Sequence, residues 1–192
     1  MRRLLITGFD PFGENSVNPS WQAVKALPDV LGDFELRKLE IPTVFGSAAR
    51  AVLSAAEEFR PHVILCVGLA GGREAVTPER IAVNIRSARI PDNEGNRPDG
   101  DKICPDGPAA YFSTVPVEKM ARSIHAAGLP AAVSNTAGTF VCNDTLYLLL
   151  HHFDKTPVQI GFIHVPRTPD LGTPSLSLPQ LTAALKAAIE SC

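Results

Sequence analysis

The sequence predicts an α/β fold, a three-layer α/β/α sandwich on a mostly parallel, twisted sheet, built as a single domain over residues 1–192. Three observations predict it. Short β-branched runs alternate with helical stretches along the chain, the pattern of parallel strands joined by crossover helices. Runs such as HVILC (62–66) and VQIGFIHV (158–165) are apolar on both faces, which suits a sheet covered by helices on each side. At 192 residues the chain is long enough to bury a proper core in one domain.

Taken in order, RRLLIT places the first strand over Arg3–Thr7. Asn18 followed by Pro19 starts a helix over Pro19–Leu27, a capping side chain before a residue tolerated at the first helical position. A strand over Phe34–Ile41, a helix over Ser47–Phe59 and a strand over His62–Gly68 follow. A strand over Arg80–Ile85 comes after a glycine-rich turn. The segment ARIPDNEGNRPDGDKICPDGP (88–108) then breaks the alternation. It is rich in Pro, Gly, Asp and Asn, and long connections in compact domains are often functional. The pattern resumes with a helix over Val117–Ala127, a strand over Ala131–Ser134, a helix over Asn143–His152, a strand over Val158–Val165 and a helix over Pro179–Ser191. Ligands of open parallel sheets sit beyond the carboxyl ends of the strands. The loops to search are therefore GFDPFG after the first strand, GLAGGREAVTPER after the third and SNTAGTFVCND after the fifth.

Composition narrows the function. The chain is 45% hydrophobic and 20% charged with a formal charge of -2, so no basic field invites nucleic acid. Its apolar runs fall short of the roughly 20 residues that span a bilayer, and the apolar run behind Arg2 and Arg3 is too brief for a signal peptide. A cytoplasmic protein without membrane association is expected. Four cysteines form no C-x-x-C pair, and five histidines show no H-x-x-x-H or H-E-x-x-H spacing. No metal and no cofactor are expected, so any chemistry must use side chains alone.

Cys142 is the sharpest candidate, near the start of the helix that follows SNTAGTF. A helix N-terminus carries partial positive charge and unpaired N–H groups, which favour a thiolate and can serve an oxyanion. The alternative is an inert buried thiol. Cys66, inside an apolar strand, reads as core, and Cys104 and Cys192 as bystanders. A cysteine nucleophile wants an imidazole base held by an acceptor. His164 ends the strand before Pro166, at the carboxyl edge; the alternative is a structural histidine. His62 begins a strand at the opposite edge, while His125, His151 and His152 lie on helix patterns. For the acceptor, Glu79 after the glycine-rich turn competes with Asp92 in the long loop. GLAGG matches no phosphate-binding pattern, and no G-x-S-x-G elbow is present. In GFDPFG, Phe9 and Phe12 are costly to leave in water; they either fold into the core or wall a site.

Together these pieces closely resemble pyroglutamyl peptidase I, the pyrrolidone carboxylate peptidases. The matching segments are TGFDPFG with NPSW, GLAGGR with ERIAVN, ARIPDNEGN, DGPAAYFST, SNTAGTFVCN and GFIHVP. They run in the family's order over nearly the whole chain. The resemblance implies a cysteine peptidase that removes N-terminal pyroglutamate from peptides. On matching positions it implies Cys142 as nucleophile, paired as thiolate with a protonated His164, and Glu79 as the orienting carboxylate. A thioester acyl-enzyme would follow. Phe9, Phe12, Phe140 and Val141 would form the pocket for a flat neutral lactam, and the Cys142 N–H with Arg89 would serve the oxyanion. Asp92 falls at a family position outside the triad. Family members are cytoplasmic and often tetrameric, so a homotetramer is implied. Three departures stand out: Arg167-Thr168-Pro169 where Tyr-Leu-Pro is usual, Leu69 where Gln is common, and Ser87 where Asp is common. Two other classes stay open at this point, a cysteine amidase with a reshaped pocket and a non-catalytic binding module.

Overall fold

A computed structural model describes residues 1–13 and 15–192. In chain order the elements are β1 (Arg2–Phe9), α1 (Pro19–Lys25), β2 (Val30–Leu31), β3 (Phe34–Ile41), α2 (Ser47–Phe59), β4 (Val63–Leu69), β5 (Thr77–Pro78), β6 (Ile81–Val83), β7 (Arg86–Ser87), β8 (Asp99–Asp101), β9 (Ala110–Phe112), α3 (Val117–Ala126), α4 (Val141–His152), β10 (Gln159–Val165) and α5 (Leu178–Ile189). Six strands form one sheet in the order β2-β3-β1-β4-β10-β5. The β3-β1-β4-β10 centre is parallel, and the two edge strands are antiparallel.

The period of two along each strand sorts side chains into two cores. Leu4, Ile6, Val63, Leu65, Ile163 and Val165 face α1, α3 and α5. Leu5, Phe9, Ile64, Cys66, Ile160 and Phe162 face α2 and α4. The same alternation puts His164 on the face of Phe162, and so on the side of α4. Close approach is built in at Gly8, where a Cβ would meet the Trp21 backbone at 2.5 Å. That contact seats α1 on β1. Asn18 caps α1 as the sequence predicts, accepting from Ser20 N, with Pro19 in the first turn.

Two expectations change. The strand expected over Arg80–Ile85 shortens to β6 and leaves the main sheet to pair with β9. The strand expected over Ala131–Ser134 is reduced to isolated parallel bridges, Val76 to Ala131 and Glu79 to Ser134. The cause is Pro78: a continuous ladder would need its N–H, which proline lacks. The long 88–108 segment folds back on the residues before it, its β8 pairing antiparallel with β7. Among the described residues no helix is long and apolar enough to cross a membrane.

Candidate active site

Three chain segments meet at the carboxyl edge of the sheet, around a cavity of about 720 Å³. β10 brings His164, α4 brings Cys142, and the residue just past β5 is Glu79. The Glu79 N–H donates to Phe162 O at 2.8 Å, so the acid is pinned to the strand that bears the base. His164 Nδ1 and Glu79 Oε1 stand 2.6 Å apart. An ionised carboxylate only accepts, so Nδ1 carries the proton and Nε2 keeps its lone pair. Cys142 and His164 both line the cavity. Gly68 lies beside His164 in the sheet register, and its missing side chain makes room for the thiol. A Cβ there would lie 2.8 Å from the Phe162 ring and 3.0 Å from Cys142 Sγ.

Glu79 is fully buried. Burial by itself raises its proton affinity, but the His164 hydrogen bond and charge, with the Arg73 charge, outweigh it, and the carboxyl falls below its ordinary range. Ser134 Oγ is within reach of two acceptors; donating to Thr136 O at 3.0 Å, it leaves Glu79 Oε2 without a partner. His164 is also driven below its ordinary value, chiefly by burial, with Arg73 adding to the fall and Glu79 opposing it. Burial pushes the Cys142 thiol up to about 12, and the Glu79 charge adds to this. Burial therefore works against the expected thiolate–imidazolium pair and favours a thiol beside a neutral imidazole.

α4 begins at Val141, two residues earlier than the sequence suggests, with Phe140 as N-cap and no side-chain cap bond. The Cys142 N–H is therefore a first-turn donor of the kind a helix start leaves free. The helix is held from its next two residues. Asn143 accepts from Val83 N at 2.9 Å and donates to Val83 O at 2.9 Å. Asp144 accepts from Gly46 N at 2.8 Å and pairs with Arg86.

Of the residues expected to wall the pocket, Phe9, Phe12 and Phe140 line the cavity. Phe9 is also core, 2% exposed at the end of β1 rather than in a loop. Phe140 lies 6.5 Å from Phe12 between centroids, the two rings tilted by 44°, and meets Phe45 edge-on at 5.3 Å. Val141 is a correction: the early start of α4 turns its side chain wholly into the second core, away from the cavity. Arg89 lines the cavity and forms no ion pair among the described residues. Asp92 stands apart from the triad candidates. It accepts from Phe45 N at 3.0 Å, Glu94 N at 3.0 Å and Asn96 N at 2.8 Å, so it organises the mouth. Leu69 and Ser87, two of the departures, line the cavity. Arg167 instead lies over Gly71, where a Cβ would meet its Nε at 2.5 Å.

Sequence reasoning missed Asn18 and Thr43, which also line the cavity. Asn18 donates to Asp10 O at 2.9 Å, and Thr43 N donates to Asp10 Oδ1 at 2.7 Å. The signal was present for Asn18, whose capping role was read but whose position beside GFDPFG was not.

Comparison with known proteins gives a consistent result. The family model described as pyroglutamyl peptidase matches residues 2–192. A pyrrolidone-carboxylate peptidase of Streptococcus pyogenes serotype M4 (strain MGAS10750) is 47% identical over 194 residues, covering 97% of this chain and 90% of that protein. The crystal structure of Bacillus amyloliquefaciens pyroglutamyl peptidase I superposes with a TM-score of 0.97 at 45% identity, covering 100% of this chain and 96% of that one. A mutant pyrrolidone carboxyl peptidase from the hyperthermophile Pyrococcus furiosus gives 0.93 at 41% identity, covering 98% and 97%.

Proposed function

The chain belongs to the pyroglutamyl peptidase family and is a pyroglutamyl-peptidase I hydrolase, and on that footing we propose that Cys142, His164 and Glu79 carry out its chemistry as nucleophile, base and orienting acid. The substrate is a peptide whose N-terminus is closed as pyroglutamate. The observation that carries this reading is the Glu79–His164 pair, with its free imidazole nitrogen sharing one cavity with Cys142.

The lactam ring is flat, neutral and without an ammonium group, so it calls for aromatic walls and a few directed polar groups rather than an acidic grip. Phe12 and Phe140 supply walls, Phe9 the floor, and Asn18 and Thr43 the polar groups. The ring must be seated so that the carbonyl linking it to the next residue, not the lactam carbonyl, meets the thiol. As Sγ attacks, its proton passes to His164 Nε2, and the carbonyl oxygen takes up negative charge. The Cys142 N–H receives that charge, with Arg89 as the second donor; one such donor is typically worth about 3–4 kcal/mol in the transition state. The C–N bond then breaks, His164 returns the proton to the leaving amine, and a thioester remains. Water, deprotonated by His164, releases pyroglutamate and restores the thiol. Throughout, Glu79 holds the imidazole and stabilises its charged form. A homotetramer and a cytoplasmic location belong to the same reading, the first open to sedimentation analysis.

The test is hydrolysis of a fluorogenic pyroglutamyl amide beside prolyl and alanyl amides, by wild type and Cys142→Ala. Selective cleavage of the first, abolished in the variant, is expected. Equal cleavage of the other amides would overturn the substrate, and an active Cys142→Ala would overturn the mechanism.

A further inference from the structure

The glycine-rich turn after β4 ends in a side chain that neither the fold nor the triad accounts for. Arg73 is fixed at its main chain by an N–H bond to Ala70 O at 3.0 Å. One arm of its guanidinium, Nη1, meets Glu79 Oε1 at 2.5 Å and also bonds the Thr77 hydroxyl. The other, Nη2, donates to Thr136 O at 2.8 Å. Thr136 lies in the loop that runs into α4, and Glu79 Oε1 is the oxygen that holds His164. Two segments, one bearing the acid and one the approach to the thiol, thus converge on one fork, and the acid in turn holds the base.

We propose that Arg73 is a positioning residue: it locks Glu79, and through it His164, in register with the loop that leads to Cys142, and keeps the imidazole free to take a proton. This rests on the triad reading above. The physical argument is charge balance in a dry site. The titratable groups facing His164 are Glu79, Arg73 and Cys142, with Cys66 behind Cys142. Glu79 with Arg73 is a neutral pair. With the guanidinium removed, a lone buried carboxylate would face the imidazole and hold a proton on it, because an opposite charge a few ångströms away favours the ionised partner. The imidazole would then enter each cycle already protonated and could not accept the thiol proton. Arg73 opposes this, since its charge lowers the proton affinity of both His164 and Cys142. A fork is also suited to the job in a way a point charge is not, because it spans two acceptors in fixed geometry.

Two variants separate charge from shape. Arg73→Met keeps length and loses charge; Arg73→Lys keeps charge and loses the fork. The readouts are the pH profile of kcat/KM for the pyroglutamyl amide and the titration of the His164 ring followed by NMR. In Arg73→Met the acid limb and the His164 midpoint should both move up by at least about one unit, the change expected for a nearby charge, with kcat reduced and KM retained. In Arg73→Lys both midpoints should stay close to wild type while kcat falls. A folded Arg73→Met variant with unmoved midpoints would overturn the proposal, leaving only a structural tie. Should Arg73→Met not fold, Arg73→Lys decides alone: midpoints that rise in it despite the retained charge also overturn the proposal. A wild type inactive on the amide but with the NMR shifts as expected would sink the substrate reading and leave the Arg73 inference standing.

Discussion

Glu79 Oε1 and His164 Nδ1 are joined across 2.6 Å in a site where the carboxylate has no exposed surface. The bond selects the imidazole tautomer, so changing the acceptor should change the chemistry more than the binding. Glu79→Gln replaces an acceptor by a group that also donates and removes the charge that supports an imidazolium. A fall in kcat on the order of 10⁴ with KM nearly unchanged is expected, by analogy with triads whose carboxylate is made an amide. Steady-state kinetics and circular dichroism check it; a loss below about tenfold would remove Glu79 from the triad.

The pH profile follows from the two shifted groups. His164 works unprotonated, and burial lowers its midpoint from 6.5, so the acid limb of kcat/KM should lie below 6.5. The Cys142 thiol, raised to about 12, should give no alkaline fall below about pH 9. An acid limb above 6.5 would contradict the neutral thiol–imidazole pair.

Stability should decline in alkali through a residue remote from the chemistry. Cys66 is wholly buried, and burial raises its thiol from 9.0 to about 12. Its folded value lies above the unfolded one, so its contribution is complete below 9.0 and is lost as pH rises towards 12. Roughly 2 kcal/mol should be gone by about pH 10.5. Denaturant unfolding at about pH 8 and 10.5 measures the loss, which should be smaller in Cys66→Ala.

The two phenylalanines of GFDPFG should divide cleanly. Phe9 is core as well as cavity floor, so Phe9→Ala should cost about 3–5 kcal/mol in unfolding free energy. Phe12 is half-buried at the mouth, so Phe12→Ala should raise KM for the pyroglutamyl amide and leave the unfolding midpoint in place. Matching stability losses in the two variants would count against the assignment.

Gly68→Ala tests the floor beneath the thiol. The added methyl would intrude on the Phe162 ring and on Cys142 Sγ. A fall of about 10²-fold in kcat is expected, the usual result of displacing a reacting group by about 1 Å. Unchanged kcat would mean that Sγ has other room to occupy.

Much of this was legible in the chain because period and punctuation point the same way. His164 could be put at the carboxyl edge because an apolar strand stops at Pro166, and Cys142 because a small-residue loop meets an apolar helix pattern. Ser47–Phe59 and Phe34–Ile41 emerge with their expected boundaries. What escaped depends on tertiary bonding. Pro78 breaks a ladder whose strands could not be paired from sequence. Val141 faces inward only because α4 starts early. Asp92, one of many polar residues in a long loop, becomes an organiser through main-chain donors that composition does not reveal. Arg73 was passed over because its glycine-rich turn matched no phosphate pattern, although a buried carboxylate six residues on needed a cation.

The amide of Asn143 has a further consequence, for the edge of a small sheet rather than for catalysis. Its side chain meets both the N–H and the C=O of Val83, as a residue of a neighbouring strand would. β6 is paired with β9 on one side, and an open ladder on the other would be a template for another chain. The residue next to the thiol therefore also closes a strand edge from within: its amide satisfies main-chain groups of β6 that no strand pairs, and ties the nucleophile helix to them.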